Sequence, residues 1–271
     1  MANDRKRWLV DAGQRPKLAA IDTRSRDGAP GSKAETTEAL VDLATDLADR
    51  QGRLWAEGQR SLLVVLQAMD AAGKDGTVKH VFSGMNPMGI RATAFKAPGP
   101  EELAHDFLWR VHAVTPRKGE VGIFNRSHYE DVLIARVDDL VPETVWRERY
   151  EAIRNFERML TDAGTTIVKI YLHISKEEQA DRFRQRLEDP AKRWKFAKAD
   201  IDVRARWDDY REAYEDAIEE TSTADAPWYV VPADRKWYRN WAVSRILIET
   251  LTEMKPEFPP EEPGLDQLVI E

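Results

Sequence analysis

The sequence predicts an α/β protein whose helices cover both faces of a five-stranded parallel sheet, a three-layer α/β/α fold. Residues 62–66 form an uninterrupted apolar run, Leu-Leu-Val-Val-Leu, which is typical of a central parallel strand buried on both faces. Further strand and helix patterns alternate along the chain, and strands joined by helical crossovers lie parallel. The length of 271 residues suits one such domain.

The individual elements follow from hydrophobic spacing. In the first helix, which runs from Lys33 to about Gln59, leucines recur at helical intervals. The other predicted helices lie near 74–84, 100–114, 143–163, 176–188, 201–222 and 237–254. Besides 62–66, the predicted strands are Ile90–Phe95, Val121–Phe124, Thr166–His173 and Trp228–Val231.

The chain divides into a central domain and two flanking segments. Residues 1–35 are polar and contain Pro and Gly, so we expect a loosely attached N-terminal arm. Residues 36–254 form the domain. Within it, the nearly strandless stretch of about 176–222 exceeds one crossover helix, which predicts a helical lid inserted over the site. Residues 255–271, rich in Pro and Glu, are expected to form a surface extension.

Composition excludes several functional classes. The chain has no cysteine, which rules out disulfides, thiolate metal sites and cysteine nucleophiles and indicates a reducing, cytoplasmic location. It has no apolar run of the roughly 18 to 20 residues that span a membrane, and its start lacks the apolar core of a secretory signal. A net charge of −7 argues against nucleic acid as a partner, so an anionic substrate needs a local basic surface.

The first functional motif is the phosphate loop, residues 70–77, which follows the central strand and has the sequence Asp-Ala-Ala-Gly-Lys-Asp-Gly-Thr. A small-residue turn between strand and helix aims backbone N–H groups at one point, and Lys74 can reach the outer phosphates. Compared with G-x-x-x-x-G-K-[ST], Ala68 replaces the first glycine and Asp75 replaces the hydroxyl residue. A carboxylate among phosphate-binding amides needs a cation beside it, so Asp70 is predicted to bind Mg²⁺.

Polar residues also follow the predicted strand 121–124. Ligands of open α/β sheets bind at the carboxyl ends of the strands, so Asn125 and Arg126 should face the phosphate loop. Asn125 offers an oxygen near Mg²⁺, and Arg126 offers a phosphate clamp. Glu130 lies one helical turn further on and could orient Arg126 or bind metal.

A basic block lies in the predicted lid. Ser175 and Glu178 form a capping box that begins a helix, and Pro190 ends that helix. Arg182 and Arg186 are four residues apart and share a face, and both are predicted to contact phosphate. The other basic residues of this block are Arg184, Lys192, Arg193, Lys195 and Lys198.

Taken together, these stretches resemble the polyphosphate kinase 2 family over about residues 35–254. The form Phe-Asn-Arg-Ser-His-Tyr at 124–129 is similar to its class III branch, whereas other branches carry Asp at the position of Asn125. The motifs that carry the resemblance lie at 70–77, 123–131, 173–179, 194–196, 207–210 and 227–238.

The resemblance implies a thymidylate-kinase-like P-loop kinase core with a helical lid, assembled as a homodimer or homotetramer. It also implies Mg²⁺-dependent phosphoryl transfer, with Mn²⁺ as a substitute, between inorganic polyphosphate and AMP or ADP. Carried over by position, the catalytic residues are Asp70, Lys74, Arg126 and Arg186, and Asp70 is also the metal ligand. The substrate-binding residues are then Ala72, Gly73, Asp75, Gly76, Thr77, Lys79 on the polyphosphate path, Asn125, Glu130, Arg182 and Lys195.

Phosphoryl transfer asks the protein mainly for positioning and charge neutralisation. We expect direct in-line attack by the terminal phosphate oxygen of the nucleotide on the end phosphorus of polyphosphate, with no phosphohistidine. Two alternatives stay open on the sequence alone: an ATP-dependent nucleoside monophosphate kinase on the same core, and a catalytically silent nucleotide-binding module. ATP formation from ADP and polyphosphate, without a nucleoside triphosphate donor, decides between the two kinases.

Overall fold

The computed structural model describes residues 4–265, 268 and 270. A six-stranded sheet forms its centre, in the order β1-β6-β5-β2-β4-β3. All seven residues of the central strand β2 are buried, as expected for a sheet covered on both faces. The strands are β1 Leu9–Val10, β2 Ser61–Gln67, β3 Ile90–Ala94, β4 Val121–Asn125, β5 Thr165–His173 and β6 Trp228–Pro232.

The predicted α/β fold with its parallel strands is confirmed, but the predicted strand count is wrong. β2 to β6 run parallel to one another, whereas β1 pairs antiparallel with β6 at the edge. The sheet is therefore mixed and has six strands. A strand of two residues is too short to show the alternation on which sequence-based prediction depends, which explains why β1 was missed.

The N-terminal segment is packed onto the domain, which contradicts the expectation of a loosely attached arm. Trp8 is buried and lies edge-on to Trp241 at a centroid distance of 5.6 Å. Its indole N–H donates to the hydroxyl of Tyr238 at 3.2 Å. Leu18 is fully buried. Isolated apolar residues in a polar segment carry no periodic signal, so the sequence did not reveal this anchoring.

Two predicted helices are each broken into two. The stretch 100–114 divides because the carboxylate of Asp106 accepts the backbone N–H of Leu108 at 2.9 Å, a local bond that competes with helix. The stretch 201–222 divides at Arg206. The helices are α1 Lys33–Glu57, α2 Lys74–Val81, α3 Pro100–Leu103, α4 Trp109–His112, α5 Glu130–Val137, α6 Glu143–Asp162, α7 Lys176–Glu188, α8 Ala199–Ala205, α9 Trp207–Thr221 and α10 Lys236–Met254.

The exposed part of the lid is narrower than the predicted insertion 176–222. α9 is buried along one face through Trp207, Tyr210 and Tyr214 and contacts α5 and α6, so it belongs to the body. Within the described residues 187–206, which we call the lid tip, none is buried. Residues 1–3 of the predicted arm and residues 266, 267, 269 and 271 of the predicted tail lie outside the described residues. None of the described helices is long and apolar enough to cross a membrane.

Candidate active site

The phosphate loop occupies the turn between β2 and α2. Gly73 is the residue before α2 and has a φ of 106°, a backbone conformation that glycine adopts without steric cost. Ala71 has a φ of 62°, which is costly for a residue with a Cβ and is typical of functional turns. Ala68 is not among the described residues with positive φ, so its position does not require the glycine of the standard motif.

Lys74 is held at the centre of this turn. Its side chain folds back over the loop, and its ammonium donates to the carbonyl oxygen of Ala68 at 2.8 Å. Burial and the nearby charge of Arg126 lower the pKa of Lys74 to about 8. The residue therefore sits in an environment that disfavours its charge until an anion binds beside it.

Arg126 comes from the end of the neighbouring strand and faces the loop. The register pairs Leu66 with Asn125, so the carboxyl ends of β2 and β4 lie side by side, and the backbone N–H of Arg126 donates to the carbonyl of Leu66 at 3.0 Å. Arg126 has a φ of 62°, a second strained residue at the same place. Its guanidinium donates to Oδ1 of Asp70 at 2.7 Å.

Charge coupling links Arg126 to Glu130 at the start of α5. Burial acts to lower the pKa of Arg126, but the carboxylates of Glu130 and Asp70 raise it. The pKa of Glu130 is raised because burial outweighs the attraction of Arg126 and Lys74. Glu130 is thus a partly buried carboxyl that interacts electrostatically with Arg126, and its predicted role, to orient Arg126 or to bind metal, stays a prediction.

Asp75 connects the three parts of the site. Its Oδ1 accepts a bond from the amide of Asn125 at 2.8 Å, and its Oδ2 accepts one from the ammonium of Lys195 at 3.0 Å. Burial acts to raise the pKa of Asp75, and the bonds from Asn125 and Lys195 lower it. The side chain that replaces the usual hydroxyl therefore joins the loop to the second strand end and to the lid tip.

These residues line a groove of about 480 Å³ at the phosphate loop, which we call the cleft. All four residues predicted to be catalytic lie on its wall, including Arg186 from α7, whose guanidinium donates to the carbonyl of Lys195 at 3.1 Å. Of the predicted site residues, those on the wall are Asp70, Gly73, Lys74, Asp75, Gly76, Asn125, Arg126, Arg186 and Lys195. A larger groove of about 950 Å³ lies between α1 and the start of α10, but it contains no part of the phosphate loop.

Arg182 is buried and does not line the cleft, which contradicts its predicted contact with phosphate. Its Nε donates to Glu178, and its two terminal nitrogens donate to four backbone carbonyls at 2.7 to 3.0 Å. Two of these carbonyls belong to Ala71 and Ala72. Arg182 therefore fixes the backbone of the phosphate loop by hydrogen bonds. Since Glu178 is engaged with Arg182, only half of the predicted capping box forms, in which Ser175 accepts the backbone N–H of Glu178.

Four more predicted site residues also lie off the cleft wall. The backbone N–H of Ala72 donates to the carbonyl of Met69 at 3.2 Å, so it is not free for phosphate. The buried hydroxyl of Thr77 donates to the carbonyl of Gly73 at 3.2 Å and closes the first turn of α2. Lys79 is exposed on the same helix. Glu130 interacts electrostatically with Arg126, as described above.

Four residues that the sequence did not single out belong to this site. Lys96 and Asp200 line the cleft, and burial together with the charge of Asp70 raises the pKa of Asp200 although a backbone bond opposes this. The amide of Gln179 donates to the carbonyl of Asp70 at 2.9 Å. Arg239 lies beneath the loop on α10. Of these four, Gln179 lies within the motif at 173–179 that carries the family resemblance, and this was the sequence signal that could have found it.

The site offers few protein ligands for a metal. Among the described residues, no group of three or more His, Cys, Asp or Glu side chains is placed to hold an ion. Asp70 has one carboxylate oxygen bonded to Arg126, and its second oxygen remains for a cation. Mg²⁺ commonly binds proteins through one or two carboxylates and takes its other ligands from phosphates and water. The residues present fit such an ion when a phosphate substrate is bound.

A strand–loop–helix anion site, a lysine at the start of the helix and arginines from two further elements together define a P-loop phosphotransferase. The family model for polyphosphate kinase 2 matches residues 31–259. The chain belongs to the polyphosphate kinase 2 family.

Several relatives match over nearly their full length. An AMP/ADP-polyphosphate phosphotransferase from Meiothermus ruber is 54% identical over 98% of this chain and 100% of its own. An ADP-polyphosphate phosphotransferase from Rhodopseudomonas palustris is 44% identical over 96% and 93%. The crystal structure of polyphosphate kinase 2 from Arthrobacter aurescens superimposes with a TM-score of 0.93, at 45% identity over 97% of this chain and 93% of that one.

Proposed function

We propose that this enzyme transfers the terminal phosphoryl group of inorganic polyphosphate to AMP, ADP or both, and so forms ADP and ATP. One observation carries the proposal: Lys74, Arg126 and Arg186 converge on one cleft at the carboxyl ends of β2 and β4. The family match and the names of the relatives from Meiothermus ruber and Rhodopseudomonas palustris support the choice of substrates.

The chemistry follows from the charges in the cleft. Both substrates are polyanions, so the main barrier to their approach is electrostatic repulsion, and fixed cations lower it. Lys74 holds the phosphates at the loop, Arg126 bridges from the second strand end, and Arg186 adds charge from the lid. The attacking phosphate oxygen is already anionic, so in-line transfer requires no general base.

A divalent cation, Mg²⁺ with Mn²⁺ as a substitute, completes the proposal. Asp70 would hold it, and Asn125 offers a carbonyl oxygen nearby because its amide nitrogen is engaged with Asp75. When bound, such an ion neutralises charge shared between the two substrates. The protein's part is to keep Asp70 directed into the cleft, which the bonds from Arg126 to its carboxylate and from Gln179 to its carbonyl achieve.

Three further proposals accompany the activity. We infer a cytoplasmic location from the absence of cysteine in the sequence and a homodimer or homotetramer from the family resemblance. We also propose that the lid tip, residues 187–206, is the part of the domain that closes over bound substrates, because it contains no buried residue although all of it is described.

The decisive experiment supplies polyphosphate with AMP, ADP, GMP or GDP separately and measures the nucleotide products by chromatography. We expect ADP and ATP from the adenine nucleotides in the presence of Mg²⁺, with no nucleoside triphosphate donor present, and loss of product with chelator. Asp70→Asn should raise the Mg²⁺ concentration that gives half-maximal rate. An enzyme that phosphorylates AMP only with ATP as donor, or an acid-labile phosphoprotein that accumulates during turnover, would contradict the proposal.

A further inference from the structure

Arg239 lies on α10, directly behind the phosphate loop. Its side chain is 2% exposed. Nη1 donates to the carbonyl of Ala72 at 3.3 Å. Nε and Nη2 donate to the side-chain oxygen of Asn240 at 3.1 and 2.7 Å. The guanidinium is therefore fixed in one place by the loop and by its own helix.

The two glycines of the loop allow this close approach. A Cβ added at Gly73 would lie 2.0 Å from Nη1 of Arg239, and one added at Gly76 would lie 3.2 Å from Nη2. The guanidinium thus lies directly against the backbone of Gly73 and Gly76, and both glycines also form part of the cleft wall.

No carboxylate neutralises Arg239. Its hydrogen-bond partners, Ala72 and Asn240, are neutral, and among the described residues it forms no salt bridge. The charged groups that interact with it electrostatically, Arg182 and Lys236, are also cations. Burial and Arg182 lower the pKa of Arg239 to about 10. A buried charge with no counter-ion is costly, and proteins retain one only where something else requires it.

We propose that Arg239 is a positioning residue of the polyanion site, and that its missing counter-ion is the phosphate chain bound on the other side of Gly73 and Gly76. The inference rests on the proposed function only for the identity of that anion. Across a thin, water-poor loop a fixed charge acts more strongly than it does in water. Arg239 thus stabilises bound polyphosphate without touching it, at a cost to the stability of the free protein.

A purely structural role makes the opposite prediction. If Arg239 served only to bind Ala72 and fill space, a neutral replacement would destabilise the free protein and leave anion affinity unchanged. If its charge is present for the substrate, a neutral replacement of similar length loses anion affinity and keeps or raises the melting temperature of the free protein. The two hypotheses therefore predict different results for anion affinity and for melting temperature.

The test compares Arg239→Met, Arg239→Gln and Arg239→Lys with wild type, using inorganic tripolyphosphate without nucleotide. Calorimetric titration and thermal melts give affinity and stability without turnover. We expect tripolyphosphate binding to weaken at least about tenfold in the two neutral variants, and to be largely restored in Arg239→Lys. In the coupled assay, KM for polyphosphate should rise more than kcat falls.

Arg245→Met is the matched control, because Arg245 lies on the same helix but pairs with Asp4 and Glu249. It should lower the melting temperature and leave tripolyphosphate affinity unchanged. Neutral Arg239 variants that melt lower and bind tripolyphosphate as wild type does would overturn the inference while leaving the proposed function intact. Arg239-dependent binding in a protein that forms no ATP from polyphosphate would overturn the proposed function instead.

Discussion

The floor and the lid of the cleft are held in different ways. The floor is the phosphate loop, to which Gln179, Arg182 and Arg239 donate hydrogen bonds from below, and all three side chains are buried. The lid tip has no buried residue between 187 and 206, all of which are described, and Trp194 within it is 77% exposed. The ion pair between Lys195 and Asp75 joins the lid tip to the phosphate loop.

This difference separates two tasks. Preorganised donors stabilise a transition state without reorganisation at the moment of reaction, and the buried floor meets that requirement. A lid must open to exchange substrates and close to exclude water, and a segment with few buried contacts has a low free energy of opening. The cations are divided accordingly, with Lys74 on the floor, Lys195 on the lid tip and Arg186 on α7 just before the lid tip.

The largest effect is expected at the floor. Lys74→Met should lower kcat/KM by about 10³-fold, since it removes the central preorganised cation. The free energy of unfolding should stay equal or rise, because the variant removes a buried ammonium whose pKa is lowered to about 8. Steady-state kinetics and urea unfolding measure the two quantities.

Lys118→Met provides the control for this variant. Lys118 is exposed just before the start of β4, whereas the cleft lies at the carboxyl end of that strand. Both kcat/KM and the free energy of unfolding should therefore match wild type. A Lys74→Met enzyme within a few-fold of wild-type activity would contradict the assignment of the floor.

A smaller loss of activity, with no loss of stability, is expected on the lid side of the cleft. Arg186→Ala is expected to lower kcat by about 10²-fold, because the variant removes one of the cations that line the cleft. The melting temperature should not change, since the side chain makes one bond to the carbonyl of Lys195 within the lid. Arg184→Ala is the matched control, as Arg184 lies on the same helix and pairs with Asp181 at the surface. Equal losses in both variants would mean that the lid needs only general positive charge.

The sequence predicted the strand ends of the site better than the contacts of α7, for a physical reason. The strand at 61–67 is buried on both faces, so it is visible in the sequence as a continuous apolar run. The side chains at 125 and 126 then follow from the rule that parallel strands end at one edge. Arg182 was assigned wrongly because helical spacing shows which residues share a face but not what that face meets. Only tertiary packing brings the carbonyls of Ala71 and Ala72 to it.

The pH dependence of tripolyphosphate affinity should also distinguish the floor, which contains Lys74, from the lid. The pKa of Lys74 is lowered to about 8 in the free protein, and a bound polyanion favours the charged form, so binding above pH 8 takes up a proton. Tripolyphosphate affinity should then fall by up to about tenfold per pH unit above 8. Titration calorimetry in buffers of different ionisation enthalpy counts the proton.

Raising the pH should increase the free energy of unfolding although it lowers the affinity for tripolyphosphate. An unfolded lysine has a pKa of about 10.4, so between pH 8 and 10 the unfolded state binds more protons at Lys74 than the native state does. The free energy of unfolding that Lys74 contributes therefore rises with pH across this window. Lys74→Arg keeps its charge and should remove both pH dependences, whereas identical profiles in wild type and Lys74→Arg would assign the titration to another group.

The smallest effect is expected where the lid tip meets the floor. Asp75→Asn removes the charge that holds Lys195 but can still accept a bond from Asn125, and an exposed pair of this kind contributes little to stability. Because an acidic neighbour repels the substrate and occupies Lys195, its removal should strengthen tripolyphosphate binding by about two- to fivefold, and the gain should shrink at high salt. Asp189→Asn, which frees Lys192 within the lid, is the control and should change nothing. Weaker binding by Asp75→Asn would show that the carboxylate serves the substrate directly, through a cation, and that the link between lid and floor is part of the phosphate site.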